Sequence, residues 1–585
     1  MSRGAANTAW AESFVDELAR AGVRDVAVAP GSRSTPLVLA FARHGRFRMR
    51  VHLDERSAAY FALGVGKASG LPAAVVTTSG TAAANLLPAV VEAAQSEAPL
   101  LVLTADRPHR LRDADANQAI DQVGLYGTFP RAFFDVGPPV LAGPELRHLR
   151  TLACRAVAGA TAPSAGPVHV NFPFDKPLEP EAVPEGFVRE HPLAARGRAD
   201  GAPFVDVRPT RATPNEDDLG RLARALSSKE GVIVAGPSPD PGRLGPAVRA
   251  LAAATGFPVL ADPLSGARFG PADGARIVSA YDLFLRDAEV VERFAPSVIF
   301  RVGASPTSSA LLGWLLQHAS VGHVVVDDGD RWKDHTATAV LYVKADPADT
   351  LLALAARVAR SSSDAWSQQW EAAEAATLAA LTADQGEQHE GDVWSAVLAA
   401  APADGAVFVS SSMPVRDLDA FGHPREEPLS VFGNRGASGI DGIVSTAFGV
   451  ASQRNAPTIC VLGDIAFFHD QNGLLWRRER DASVVFVLID NDGGGIFHML
   501  PVAGHEPHFT PLVATPHGLD LRRAAELHGL ELRDVTIGGL EEALGEAVRV
   551  ARTVVLRVRT DRADNHRRHT EIVAAVARSV REALG

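Results

Sequence analysis

The sequence predicts an α/β protein built from three doubly wound parallel-sheet modules. Short β-branched runs alternate with amphipathic stretches long enough for the crossovers that parallel strands require. Glycine-rich and polar loops follow these runs, at the carboxyl ends of strands where ligands bind in such sheets. The 585 residues exceed what one core accommodates, and roughly 150 residues per domain points to three or four units.

The first domain, residues 1–180, has strands over Val26 to Ala29, Val51 to Leu53, Ala73 to Thr77 and Leu100 to Thr104, with a helix over Ala82 to Ala94. Its strand ends carry Ser32, Arg33, Glu55, Thr81 and Arg107. Residues 181–214 are proline-rich and charged without periodicity, which reads as a linker running over a surface. A central α/β domain, 215–360, follows, with strands near Val232 to Ala235, Val259 to Ala261, Val298 to Val302 and His323 to Val326. None of its loops completes a GxGxxG after a strand, so a dinucleotide site is not expected there. An Ala-rich helical connection, 361–387, leads to the third domain, 388–585. Its strands are Val407 to Val409, Ser430 to Phe432, Thr458 to Leu462, Val484 to Ile489 and Val554 to Val558, and its polar and glycine-rich loops gather on one edge, as a phosphate cradle needs.

With 46% apolar and 22% charged residues the composition is that of a soluble globular protein. Cys154 and Cys460 are far apart and provide neither a disulfide framework nor a metal cluster. The first residues lack the apolar core of a signal peptide and no run is long enough to span a bilayer, so a cytoplasmic protein without membrane insertion is expected. A net charge of -12 argues against nucleic acid as a partner. Anionic ligands then require positive charge concentrated locally, which directs attention to arginines.

Asp464 and Asn491 stand at the ends of two successive strands of the third domain. A carboxylate, an amide oxygen and a backbone carbonyl near the following glycines suit Mg2+ while leaving positions for a diphosphate. Thiamine diphosphate is the simplest ligand of that kind. The alternative is that Asp464 caps a helix and that Asp490 to Gly495 is an ordinary turn. Thiamine chemistry also needs a carboxylate facing the aminopyrimidine, so that the exocyclic amine becomes basic enough to remove the thiazolium C2 proton. Glu55, at a helix entry, is the candidate, and its alternative role is to complement a helix dipole together with Asp54.

The motifs PGSRSTPL from Pro30, HLDERSAAYFALG from His52, TSGTAAANLLPAVVEA from Thr78, LTADRP from Leu103, NQAIDQ from Asn117, NRGASGIDG from Asn434 and GGGIF from Gly493 closely resemble the 2-succinyl-5-enolpyruvyl-6-hydroxy-3-cyclohexene-1-carboxylate synthase family of thiamine-diphosphate enzymes. Two departures stand at the cofactor motif: Ile465 replaces the third residue of GDG, and Asn491 is flanked by Asp490 and Asp492. The resemblance implies a pyrimidine-binding first domain and a diphosphate-binding third domain. It implies decarboxylation of 2-oxoglutarate and 1,4-addition of the succinyl carbanion equivalent to isochorismate in menaquinone biosynthesis, with Mg2+ or Mn2+. It also implies a homodimer or homotetramer in which the first module of one chain faces the third module of another.

By matching position, Glu55 is the aminopyrimidine partner and Ile440 the apolar wedge that holds the cofactor bent. Asp464, Asn491 and the backbone of Gly493 are the metal ligands. Ser32, Arg33, Arg107, Asn117, Gln118, Arg301, Ser412, Arg416, Arg435, Ile496 and Phe497 form the substrate-facing set, Arg301 through the looser motif FRVGASP. Arginines offer paired planar donors that fit dicarboxylates. Three other readings are a different thiamine carboligase of the acetolactate-synthase type, a noncatalytic binding protein that kept the fold, and a NAD-linked dehydrogenase.

Overall fold

Three six-stranded sheets organise the chain, in a computed structural model that describes residues 2–403, 405–479 and 481–585. The first sheet contains β1 (Asp25–Val28), β2 (Arg48–Val51), β3 (Ala73–Thr77), β4 (Leu100–Asp106), β5 (Ala132–Asp135) and β6 (Pro167–Pro173), in the order β2-β1-β3-β4-β6-β5. The second contains β7 (Gly231–Ala235), β8 (Pro258–Ala261), β9 (Arg276–Val278), β10 (Val298–Val302), β11 (Gly322–Val326) and β12 (Ala339–Val343), in the order β12-β11-β10-β7-β8-β9. The third contains β13 (Gly405–Val409), β14 (Leu429–Gly433), β15 (Thr458–Gly463), β16 (Val484–Asp490), β17 (Leu532–Asp534) and β18 (Val554–Arg559), in the order β14-β13-β15-β16-β18-β17.

Among the described residues every pairing is parallel. Parallel sheets are covered on both faces, which is why inner strands such as β4 and β15 are continuous apolar runs rather than alternating ones. The first and third sheets share one strand order, and the second has the order of dinucleotide-binding folds.

Packing divides the chain into two compact units. The first takes the chain up to Thr210 together with 434–453 and 470–482. In it the helix Glu55–Ser69 packs against the helix Ile443–Ala451 through facing glycines. A Cβ on Gly64 would lie 2.2 Å from the Thr446 carbonyl oxygen, and one on Gly449 would lie 2.1 Å from that of Phe61. Any side chain at either position forces the helices apart.

The second unit takes 211–433, 454–469 and 483–585. Here Arg268 is fully buried and all of its nitrogens are used. It donates to Asp419 Oδ1 at 2.6 Å, to Tyr281 Oη and to the carbonyls of Ala261, Leu418, Asp419 and Gly422. That network ties the loop after β8 to the helix Met413–Phe421.

Local differences from the sequence reading are few. The strand expected over Val51 to Leu53 lies earlier, as β2 at Arg48–Val51. Residues 181–214 contain the short helices Glu185–Glu190 and Pro192–Arg196. The helix expected over Ala82 to Ala94 is two helices, Thr81–Ala84 and Leu87–Gln95, the second opening with Pro88 in its first turn, where its missing N–H costs nothing. The connection after the central sheet is the helix Asp364–Ala383. Among the described residues no helix is long and apolar enough to cross a membrane.

Candidate functional site

In the second unit, β15 and β16 run in register with Gly463 opposite Ile489, so Asp464 and Asn491 leave neighbouring strands at the same edge. Asp464 is 2% exposed. Its Oδ1 accepts the Ile465 amide at 2.6 Å, and its Oδ2 accepts the amides of Asn491 at 3.2 Å and Gly493 at 3.0 Å. Gly493 has a φ of +144°, and a Cβ there would lie 2.4 Å from the Ala514 carbonyl oxygen, so glycine is required for the loop to fold back over the carboxylate.

Burial pushes the Asp464 carboxyl above its ordinary range, against the amides of Gly493 and Ile465 and the nearby His517, whose Nε2 is 3.3 Å away. Asn491 donates from Nδ2 to Glu390 Oε1 at 2.8 Å. Its Oδ1 is buried and has no hydrogen-bond partner. An orphaned amide oxygen beside a buried carboxylate is a donor set that fits a hard cation. Ligand atoms of Asp464, Asp490 and His517 also lie within 4.8 Å of one another.

The two flanking aspartates have separate partners. Asp490 faces Arg557 at 3.5 Å. Asp492 accepts the amides of His517 at 3.0 Å and Gly518 at 2.7 Å, which hold it below the usual carboxylate range despite partial burial. Ile496 and Phe497 follow on the short helix Gly495–Met499, both half-buried. Ser412 opens the helix Met413–Phe421 with a φ of +72°, and its carbonyl accepts Arg416 Nη1 at 2.7 Å.

Arg301, on β10, is buried with its guanidinium directed to Asp334 at 2.7 Å, to Thr336 and Thr338, and to the Lys333 carbonyl. These contacts are all with the segment between β11 and β12. Of the substrate-facing set, Arg301 is held in an ion pair with Asp334.

In the first unit, Asp54 is the helix N-cap, accepting the amides of Arg56 at 2.9 Å and Ser57 at 3.2 Å. That leaves the half-buried Glu55 carboxylate without a hydrogen bond or ion pair among the described residues. The segment 470–476 braces this helix entry. Asn472 donates to Asp54 at 2.8 Å and its carbonyl meets His52 Nε2 at 3.0 Å. Asp470, buried, accepts the Ser445 amide at 2.7 Å and the hydroxyls of Ser445 and Ser57 at 3.3 and 3.4 Å, and burial pushes its carboxyl up to about 7.

The loop carrying Arg435 and Ile440 belongs to this unit. Glu92 accepts the amides of Gly436 at 3.0 Å and Ala437 at 2.7 Å, and Tyr60, one turn into the Glu55 helix, donates to Asp441. Gly442, with a φ of +67°, lies against the Tyr60 ring, where a Cβ would approach within 2.1 Å. Ile440 and Glu55 are therefore held by one set of contacts.

Arg33 and Arg107 are both buried. Burial, and then the Arg107 charge, hold the Arg33 guanidinium below its ordinary value, and its Nε lacks a partner. Two buried cations in mutual repulsion form a place for an anion. Arg107 is fixed by two bonds to the Asn117 carbonyl, at 3.0 and 2.7 Å, and Gln118 by its Nε2 bond to the Ser79 carbonyl at 2.9 Å. Ser32 is exposed at the start of the same loop as Arg33. Sequence reasoning missed Glu390, His517, Asp470 and Asn472, none of which lies in a recognisable motif.

Comparison with known proteins agrees with this geometry. Residues 8–125 match the thiamine pyrophosphate enzyme N-terminal TPP binding domain, 200–409 the middle domain of thiamine pyrophosphate, and 418–558 the C-terminal TPP binding domain. Relatives named 2-succinyl-5-enolpyruvyl-6-hydroxy-3-cyclohexene-1-carboxylate synthase include one from Halobacterium salinarum, 47% identical over 97% of this chain and 98% of its own. One from Roseiflexus castenholzii is 45% identical over 98% of this chain and 99% of its own. A third, from Geobacillus thermodenitrificans, is 42% identical over 98% and 97% respectively.

Proposed function

The chain belongs to the 2-succinyl-5-enolpyruvyl-6-hydroxy-3-cyclohexene-1-carboxylate synthase family of thiamine pyrophosphate enzymes, and from that membership we propose that it decarboxylates 2-oxoglutarate and adds the succinyl unit to isochorismate in menaquinone biosynthesis. Thiamine diphosphate, when bound, supplies the electron sink for decarboxylation, and the protein's part is to bind, orient and exclude water.

In this reading Asp464 Oδ, Asn491 Oδ1 and the Gly493 carbonyl hold Mg2+, with Mn2+ as the alternative ion. Glu55 shares a proton with the aminopyrimidine, a role supported by Asp54 having taken over the capping of its helix. Ile440 is the apolar wedge. Arg33 and Arg107, with Ser32, Asn117 and Gln118, face substrate carboxylates, as do Ser412, Arg416 and Arg435, while Ile496 and Phe497 supply a dry wall. Arg301 is left out of this set because Asp334 already neutralises it. The three-domain division, a homodimer or homotetramer, and a cytoplasmic location complete the proposal.

The observation that carries it is the buried, partnerless Oδ1 of Asn491 beside the Asp464 carboxylate at one sheet edge. The test is incubation with 2-oxoglutarate, isochorismate, Mg2+ and thiamine diphosphate, followed by mass analysis. The expected result is cofactor-dependent CO2 release and a product carrying the succinyl unit. Turnover of pyruvate in place of 2-oxoglutarate, or no CO2 release at all, overturns the assignment.

A further inference from the structure

A side-chain amide is nearly symmetric in shape, so a half-turn about its last torsion exchanges nitrogen for oxygen at little steric cost. Only the oxygen is a ligand for Mg2+. Something must therefore decide which way Asn491 faces. The structure assigns that task to Glu390: by accepting the Nδ2 hydrogen bond of Asn491, it fixes the amide with Oδ1 left for the cation. This rests on the reading of Asn491 as a metal ligand.

Glu390 is 1% exposed and lies in the short helix Glu390–Asp392, far from Asn491 in sequence. Its Oε1 accepts both Asn491 Nδ2 and Thr560 Oγ1, each at 2.8 Å. Oε1 is the acceptor of both bonds, so a turned amide would set oxygen against oxygen across that contact. The residue is itself held from a second direction, since its backbone amide donates to Asn565 Oδ1 at 3.0 Å. Arg562 fixes the backbone on the other side, donating to the carbonyls of Asn491 at 2.8 Å and Asp492 at 2.5 Å. The side-chain torsion of Asn491 is then the remaining freedom, and Glu390 removes it.

Glu390 is a positioning residue, and its effect is read in metal affinity. Mg2+ is titrated calorimetrically into the full chain with thiamine diphosphate present, and the melting temperature of the metal-free protein reports folding. E390A is expected to weaken Mg2+ binding by at least about tenfold, the lower range for outer partners of metal ligands. E390Q, whose amide oxygen still accepts from Asn491 and Thr560, is expected to recover most of that loss. If E390A does not fold, the bulkier E390M is read in its place. A loss smaller than tenfold in a folded variant lacking the acceptor overturns the proposal, as does an E390Q as weak as E390A. N491A separates the two levels: unchanged Mg2+ affinity there removes the ligand reading itself, whereas a loss in N491A without one in E390A removes only the role of Glu390.

Discussion

The middle and third sheets both present loops at a topological switch point, where open α/β sheets bind ligands, but they end there differently. At the middle sheet's switch, between β7 and β10, the backbone fills its own crevice. A Cβ on Gly236 would lie 1.7 Å from the Ala304 carbonyl oxygen, Gly303 has a φ of +76°, and the Ala304 amide donates to the Pro237 carbonyl at 2.8 Å. The charged groups around that edge are largely paired, Arg301 with Asp334 and Lys333 with Asp327, each at 2.7 Å, and Asp262 accepts the amides of Leu264 and Thr307, although Thr307 Oγ1 is buried without a partner. The third sheet, whose order reverses between β13 and β15, leaves Ser410 Oγ and Asn491 Oδ1 buried without partners. Strand order alone therefore does not locate a site. The dinucleotide-type order belongs to the sheet whose loops have closed, and the unmet amide oxygen beside a buried carboxylate belongs to the other.

The largest effects are expected where the groups are unmet. Glu55→Gln should keep the fold and cofactor binding yet lower turnover by roughly 100-fold to 10,000-fold, the range for general acid–base groups; steady-state kinetics beside cofactor titration checks it, and near-normal turnover would refute the assignment. Asp464→Ala comes next. It should weaken Mg2+ and cofactor binding together, by more than the roughly 10–100-fold that loss of an outer partner costs. Calorimetry showing unchanged affinity would move the metal elsewhere and erase the contrast between the sheets.

Much of this architecture is legible in the sequence because inner parallel strands are unbroken apolar runs. Ala73–Thr77 and Val298–Val302 stand at the expected residues. Five strands, β5, β6, β9, β12 and β17, are not anticipated, and three of them have specific reasons. β6 begins and ends with proline, which ordinarily demotes a strand, yet as first residue Pro167 needs no ladder N–H. β9 and β17 are three-residue edge strands with polar or charged positions, too short to show a pattern. At the site, Asp464, Asn491 and Glu55 are visible because their motifs are local. Glu390 and Asp470 are not, because each acts through a partner distant in sequence, Asn491 and Ser57 respectively.

Arg301→Ala sharpens the comparison from the matched side. Breaking a buried pair leaves the Asp334 carboxylate without its counter-charge, at a cost of about 3–5 kcal/mol in stability, visible as a lower urea midpoint. KM for 2-oxoglutarate should not change. Although burial opposes it, the Ala339 amide and Arg301 hold the Asp334 carboxyl down to about 2. Its stabilisation is thus present above the ordinary carboxylate value and lost as pH falls through about 2. A raised KM with unaltered stability would return Arg301 to the substrate-facing set.

Asp470→Asn probes the opposite case, a buried carboxylate at the Glu55 helix with no ion pair among the described residues. It is met by one amide and two hydroxyls, and burial raises its carboxyl from 3.8 to about 7. A folded-state value above the unfolded one means that its favourable contribution is complete below 3.8 and is lost as pH rises through about 7. Asparagine carries no charge to bury. Its oxygen can accept the Ser445 amide, and its nitrogen can donate to a serine hydroxyl. The variant should therefore melt above the parent at pH 8, by no more than about 4 kcal/mol, the ceiling set by that displacement. The gain should shrink as pH falls toward 5. A difference that does not vary with pH between 5 and 8 would mean that Asp470 is already ionised in the fold at pH 5, its carboxyl not raised by burial. The helix entry would then be as well matched electrostatically as Arg301 and Asp334, and the contrast would narrow to the cation edge alone.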